Sequence, residues 1–143
     1  MDIIYEIKMT FIESIKTCLR KYANFSGRAS RSEFWWWILF VNILFFALQI
    51  IAGLINNPDT ITIAPLLLGI PTIAIMVRRL HDFNSAGIWI FPIILAQVVF
   101  SIHWIPAIIF ATFMLLFFCK KGTVGANRFG EDPLEEKKSA INL

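Results

Sequence analysis

Long apolar runs separated by short polar clusters organise this chain. The first uninterrupted run begins at Phe34 and continues to Ile55, with its only amides at Asn42 and Gln49. It has the roughly 20 apolar residues that a hydrocarbon core about 30 Å thick requires of a helix. A second run, Ile61 to Val77, is interrupted by Pro65, Gly69 and Pro71. A third extends from Ile88 to Phe118. As one helix it would be roughly 46 Å long, and fitting the bilayer would need a tilt near 50°, beyond the usual range of about 0–40°. Ser101-Ile102-His103 is its natural break and predicts a hairpin of two short spans, about 88–100 and 104–118. Either the hairpin crosses twice, borrowing neighbouring residues, or it is re-entrant.

The segment before these runs has a different period. Ile4, Ile7, Phe11, Ile15, Cys18 and Tyr22 follow the i, i+3, i+4 spacing of one helical face. Glu6, Glu13, Lys16 and Arg20 lie opposite. This predicts an amphipathic helix over residues 1–24, lying in the membrane interface with its cations toward anionic headgroups. Packing of the same face against the spans is the competing expectation. Residues 25–133 form the membrane domain and 134–143 a polar tail. The fold class expected is an all-α integral membrane protein with four transmembrane helices.

Composition supports that class. The chain has 143 residues, 57% hydrophobic and 16% charged, against roughly 45–50% and about 25% in a soluble domain. Its mean hydropathy is +0.69. The first apolar run begins too late for a signal peptide, so the first span is expected to act as its own insertion signal. Cys18 and Cys119 fall in or beside basic segments, which implies free thiols in a reducing compartment.

Charge gives the orientation. All 13 Lys and Arg lie outside the long apolar runs. They occur before Phe34, at Arg78 and Arg79, and from Lys120 onward, whereas the loops around Asn57 and Ser101 hold none. Four spans put every cation in the cytoplasm, as the positive-inside rule asks. Three spans would export the basic tail. The expected location is a bacterial inner membrane, multi-pass, with both termini cytoplasmic.

Three polar blocks frame the spans: Phe25-Ser-Gly-Arg-Ala-Ser-Arg-Ser-Glu-Phe-Trp35, Arg78-Arg-Leu-His-Asp82 with Gly87 and Trp89, and Gly122-Thr-Val-Gly-Ala-Asn-Arg-Phe-Gly-Glu-Asp-Pro133. In this order and spacing they resemble the family catalogued as domain of unknown function 805, small bacterial inner-membrane proteins of the YhaH/YhaI type. The resemblance spans about Phe25 to Pro133. It implies class and location rather than an activity. Family members often carry a Gly-Arg-Ser-Gly-type turn after the His-Asp pair, where this chain has Asn84-Ser85-Ala86-Gly87. Val124, Ala126 and Phe129 depart from the last block's usual prolines and tyrosine.

In the four-span topology Arg28, Arg31, Glu33, Arg78, Arg79, His81, Asp82, Asn127, Arg128 and Asp132 would share one cytoplasmic layer. Three uses are open for it. Arginine–carboxylate pairs would staple the spans together. Arginine forks would recognise anionic headgroups or phosphate. The layer would dock a membrane protein partner, or a second copy in a homo-oligomer. The leading expectation is a non-enzymatic scaffold or accessory subunit. One alternative is a small lipid-acting enzyme centred on His81 and Asp82, which needs the backbone to leave the helix there, because residues at i and i+1 do not face each other. The other is an oligomeric channel or exporter component, although spans one and two hold no ionisable side chain to mark a path. No His-x-x-x-His, Cys-x-x-Cys, nucleophile-elbow or phosphate-loop pattern occurs, so neither a metal nor a cofactor is called for. Nothing points to nucleic acid.

Overall fold

The computed structural model describes residues 9–100 and 103–135. Five α-helices follow in order: α1 Phe11–Arg20, α2 Arg31–Leu54, α3 Ile63–Asp82, α4 Ile90–Phe100 and α5 Trp104–Cys119. Short 3-10 turns at Pro58–Thr62 and Gly87–Trp89 lead into α3 and α4. There is no strand among the described residues, only an isolated bridge between Asn127 and Gly130. The chain forms two compact units, one of Met1–Phe25 with Ser32–Ile75 and one of Ser26–Arg31 with Met76–Leu143.

In the first unit α1 starts at Thr10, whose hydroxyl accepts from the Glu13 amide while the Glu13 carboxylate accepts from the Thr10 amide. This reciprocal cap satisfies two of the helix's orphan donors. The part of the expected N-terminal helix before Met9 lies outside the described residues. Part of the apolar face of α1 packs within its unit. Cys18 and Ser14 are buried, Ser14 donates to the Glu33 carbonyl at 2.6 Å, and the Phe11 ring meets Trp36 edge-on at 5.8 Å. Aromatic side chains near the start of α2 offer that part an apolar partner, while Ile12, Leu19 and Tyr22 stay exposed.

Helix α2 is 24 residues long and, among the described residues, is the one helix both long and apolar enough to cross a membrane. One of its stripes, with Phe34, Trp37 and Ala52, is buried, while Ile43, Phe46 and Leu54 are 55%, 65% and 81% exposed. So much bare apolar surface suits lipid. Asn56, at φ 51°, ends the helix, and the Asn57 amide reaches back to the Ala52 carbonyl at 3.0 Å. That is the long bond of a glycine-type C-cap with asparagine in the left-handed position.

The second apolar run is one continuous helix despite Pro71, and it extends through Arg78–Asp82. Proline at 71 removes the amide that would bond to the carbonyl of Leu67. The Tyr22 hydroxyl donates to that carbonyl at 2.5 Å. One turn along, Thr72 donates to the Leu68 carbonyl at 2.6 Å and accepts from the Trp37 indole at 3.1 Å. Side chains thus satisfy the backbone where the proline interrupts it.

In the second unit the last run is split, with α4 ending at Phe100 and α5 starting at Trp104, and the two helices pack together.

Candidate functional site

The C-terminal turn of α3 carries Arg79, His81 and Asp82. Its end is shaped by Asn84, at φ 57°. The Ser85 amide bonds to the Leu80 carbonyl at 3.1 Å and the Asn84 amide to the His81 carbonyl at 2.9 Å. These are the two bonds of a Schellman motif. The 122–130 loop adds donors at this helix end, to Asp82 O and, beside the Asn84 amide, to His81 O. The Thr123 amide donates to Asp82 O at 2.9 Å, and the Asn127 side chain donates to His81 O at 3.0 Å.

Asp82 is the centre. Arg28 Nε donates to its Oδ1 at 2.9 Å, Arg28 Nη2 lies 2.8 Å from the same oxygen, and Arg79 Nη1 pairs with Oδ2. Both guanidiniums reach further. Arg28 donates to the carbonyls of Thr123 and Gly125, each at 2.5 Å. Arg79 donates to Ala29 O at 3.3 Å, Phe118 O at 3.0 Å and Lys120 O at 2.6 Å. The last two are orphan acceptors at the carboxyl end of α5, where a cation is favoured. One carboxylate and two guanidiniums therefore tie four segments: the 26–31 strap, the end of α3, the end of α5 and the loop beyond it.

Burial makes these contacts strong and their loss costly. Arg79 is fully buried, and Arg28 and Asp82 are 6% and 4% exposed. Desolvation lowers the Arg79 guanidinium to about 10, against the pull of Asp82. It remains cationic at neutral pH. Burial pushes the Asp82 carboxyl up, opposed by Arg28 and Arg79.

His81 points to different partners. Its Nδ1 lies 3.1 Å from the Gly27 carbonyl, and its ring stacks on Phe129 at 3.9 Å with an interplanar angle of 2°. Arg128 lies 4.7 Å from the Phe129 ring and donates to Asn84 O at 2.8 Å. Desolvation, with a smaller contribution from Arg128, lowers the His81 imidazole below its usual 6.5. His81 and Asp82 remain helical neighbours and engage separate groups, so the backbone does not leave the helix as a dyad requires.

The residues expected in one layer divide as follows. Arg28, Arg79, His81, Asp82, Asn127, Arg128 and Asp132 belong to the second unit, as do Arg31 and Arg78. Arg78 is fully buried and its carbonyl accepts from the Ala29 amide at 3.1 Å. Asp132 accepts from the Gly125 and Leu134 amides and so closes the loop. Glu33 lies in the other unit, buried, with the Cys18 thiol 4.0 Å from its carboxylate. Among the described residues no group of three or more His, Cys, Asp or Glu side chains is placed to hold a metal ion.

Sequence reading missed three members: Thr123, the Gly27 carbonyl and Gly122. A Cβ on Gly122 would stand 1.9 Å from Asp82 Oδ2, so only glycine lets the loop backbone come so close. The glycines within the polar blocks were the available signal.

The model of one family, described as proteins of unknown function (DUF805), matches residues 22–131. The inner membrane protein YhaI of Escherichia coli K12 is 35% identical over 118 residues, covering 80% of this chain and 90% of that protein. The inner membrane protein YhaH of the same organism is 35% identical over 122 residues, covering 80% and 91%. YiiR, also from that organism, is 29% identical over 137 residues, covering 83% and 92%. No solved structure matches the chain.

Proposed function

The chain belongs to the DUF805 family, and on that premise we propose that it is a multi-pass inner-membrane protein with both termini cytoplasmic, acting without catalysis as a scaffold or accessory subunit. The observation that carries this reading is the use made of Arg28 and Arg79. Each guanidinium is buried and bonded to Asp82 and to backbone carbonyls. Such a network holds segments together and leaves little of either fork for a ligand. The separate partners of His81 and Asp82 argue in the same direction, against a lipid-acting enzyme.

The exposed cations are elsewhere. Lys16, Arg20, Lys120, Lys121 and Arg128 lie at the surface. Surface side chains of this kind can meet anionic headgroups or a partner's acidic surface, Arg128 while also donating to Asn84 O. All follow or precede an apolar run on the side that the positive-inside rule assigns to the cytoplasm.

Four crossings are supported by charge and by aromatic placement. Trp36, Trp89 and Trp104 are exposed at helix ends, where indoles prefer the membrane boundary. The 16 residues of α5 make a helix about 24 Å long, short of the usual core, so local thinning or flanking residues complete the span. Labelling with a membrane-impermeant thiol reagent in intact cells tests this topology. Cysteines placed at Asn57 and His103 should react from outside, and Cys119 only after permeabilisation. Outside labelling of Cys119 would replace four spans by three. Native mass spectrometry from the cell's own membrane tests the role, with a stoichiometric protein partner expected.

A further inference from the structure

Helix α2 carries two amides on a face that nothing in its unit covers. Asn42 and Gln49 are seven residues apart and both are exposed. Among the described residues the Asn42 side chain makes one hydrogen bond, from Nδ2 to its own helix at Ile38 O, 2.8 Å away, and Gln49 makes none. Asn42 sits at the middle of the apolar run. Uncompensated amide groups in hydrocarbon are costly, and helices in membranes associate through such groups.

The surrounding residues fit a helix partner. Asn42, Phe46, Gln49 and Gly53 follow the 4-3-4 spacing of a left-handed coiled-coil seam. All four are exposed, Phe46 to 65%. A Cβ on Gly53 would meet nothing within 4 Å, so a partner backbone has room to approach there. The buried stripe of the same helix, with Phe34, Trp37 and Ala52, lies on a different face.

We propose that this seam docks against the same seam of a second copy of the chain. A carboxamide is both donor and acceptor, so it is its own complement. A two-fold axis along the seam would set Asn42 against Asn42 and Gln49 against Gln49, each pair exchanging N–H···O bonds. An isologous contact needs only that self-complementarity. The seam carries no charge, so it gives an acidic or basic partner no special hold. The inference rests on α2 crossing the bilayer, as proposed above.

The test uses the full chain, fluorescently labelled one dye per copy, in liposomes at falling protein-to-lipid ratio. Photobleaching steps give the dimer fraction. The wild type should dimerise, and Asn42→Leu with Gln49→Leu should raise the dissociation constant about tenfold or more. Ile43→Leu, on another exposed part of α2, should leave it unchanged. Leucine suits lipid, so these variants should still insert, which resistance to alkaline extraction checks. A wild type that is inserted but monomeric throughout the dilution overturns the proposal. So does a dimer indifferent to the double substitution. In native membranes, a cysteine at Gln49 should cross-link to a second copy, and cross-linking to a different protein instead would equally overturn it. If the wild type were itself extracted by alkali, the membrane reading would fail first, a result distinct from all of these.

Discussion

Gly122 lies so close to Asp82 that a Cβ there would fall 1.9 Å from the carboxylate oxygen Oδ2. Asp82 cannot retreat, because Arg28 and Arg79 hold it on both sides. Gly122→Ala should therefore push the loop off the end of α3, breaking the Thr123 and Asn127 caps together. The expected result is a large fall in thermal stability and abundance. Ala126→Gly, at an exposed position of the same loop, is the control and should be close to neutral. Melting curves of the detergent-solubilised protein decide the matter.

Asp82→Asn should be more harmful than any change at His81. It leaves two buried guanidiniums without their counter-charge, a loss of about 3–5 kcal/mol when one partner of a buried pair is removed. His81→Ala gives up a stacked ring and one contact to Gly27 at a half-exposed site, and should be tolerated far better. Equal abundance of the two variants would argue that the Asp82 network is not the framework.

Tyr22→Phe removes the donor that satisfies Leu67 O. The expected loss is about 1 kcal/mol, the typical net value of a hydrogen bond. The cause can be isolated, because Pro71→Ala restores the helix's own amide to that carbonyl. In the Pro71→Ala background, Tyr22→Phe should cost markedly less. An unchanged cost would mean that Tyr22 acts by packing alone.

Acid should weaken the fold through His81. Its pKa in the folded protein lies below the unfolded value of 6.5, so the folded state takes up its proton later. Stability is then intact above 6.5 and is lost as pH falls from there through the folded value. Asp82, whose carboxyl is raised, has the opposite sign. The comparison is therefore the difference between wild type and His81→Gln, melted at pH 7.5 and 5.5. The wild type should lose more stability on acidification than the variant.

Much of the fold could be read from hydrophobic period and length. The division of the last run into α4 and α5 followed from its excess length, and α2 from its 22-residue core. The face of α1 was visible, but its partner was not, since amphipathicity does not distinguish lipid from a neighbouring helix. The continuity of α3 through Pro71 was also hidden. It depends on Tyr22, 45 residues away from the carbonyl it satisfies. The site was legible as a set of residue types. Its arrangement was not, because Arg79 completes the end of α5 through contacts 39 and 41 residues distant in sequence. Charge pattern alone left stapling, headgroup recognition and docking open, whereas the fold turns Arg28 and Arg79 inward onto Asp82.

The most direct measurement is a double-mutant cycle on Arg28 and Asp82, with thermal melts of Arg28→Met, Asp82→Leu and the pair, alongside native mass spectrometry of retained lipid. If the network is framework, each single variant should be strongly destabilised. The double variant should recover part of the Asp82→Leu loss, because one buried guanidinium, Arg79, rather than two then lacks a counter-charge, and bound lipid should be unchanged in Arg28→Met. Wild-type stability in Arg28→Met, together with loss of a bound anionic lipid, would contradict the account and make Arg28 a ligand-binding residue.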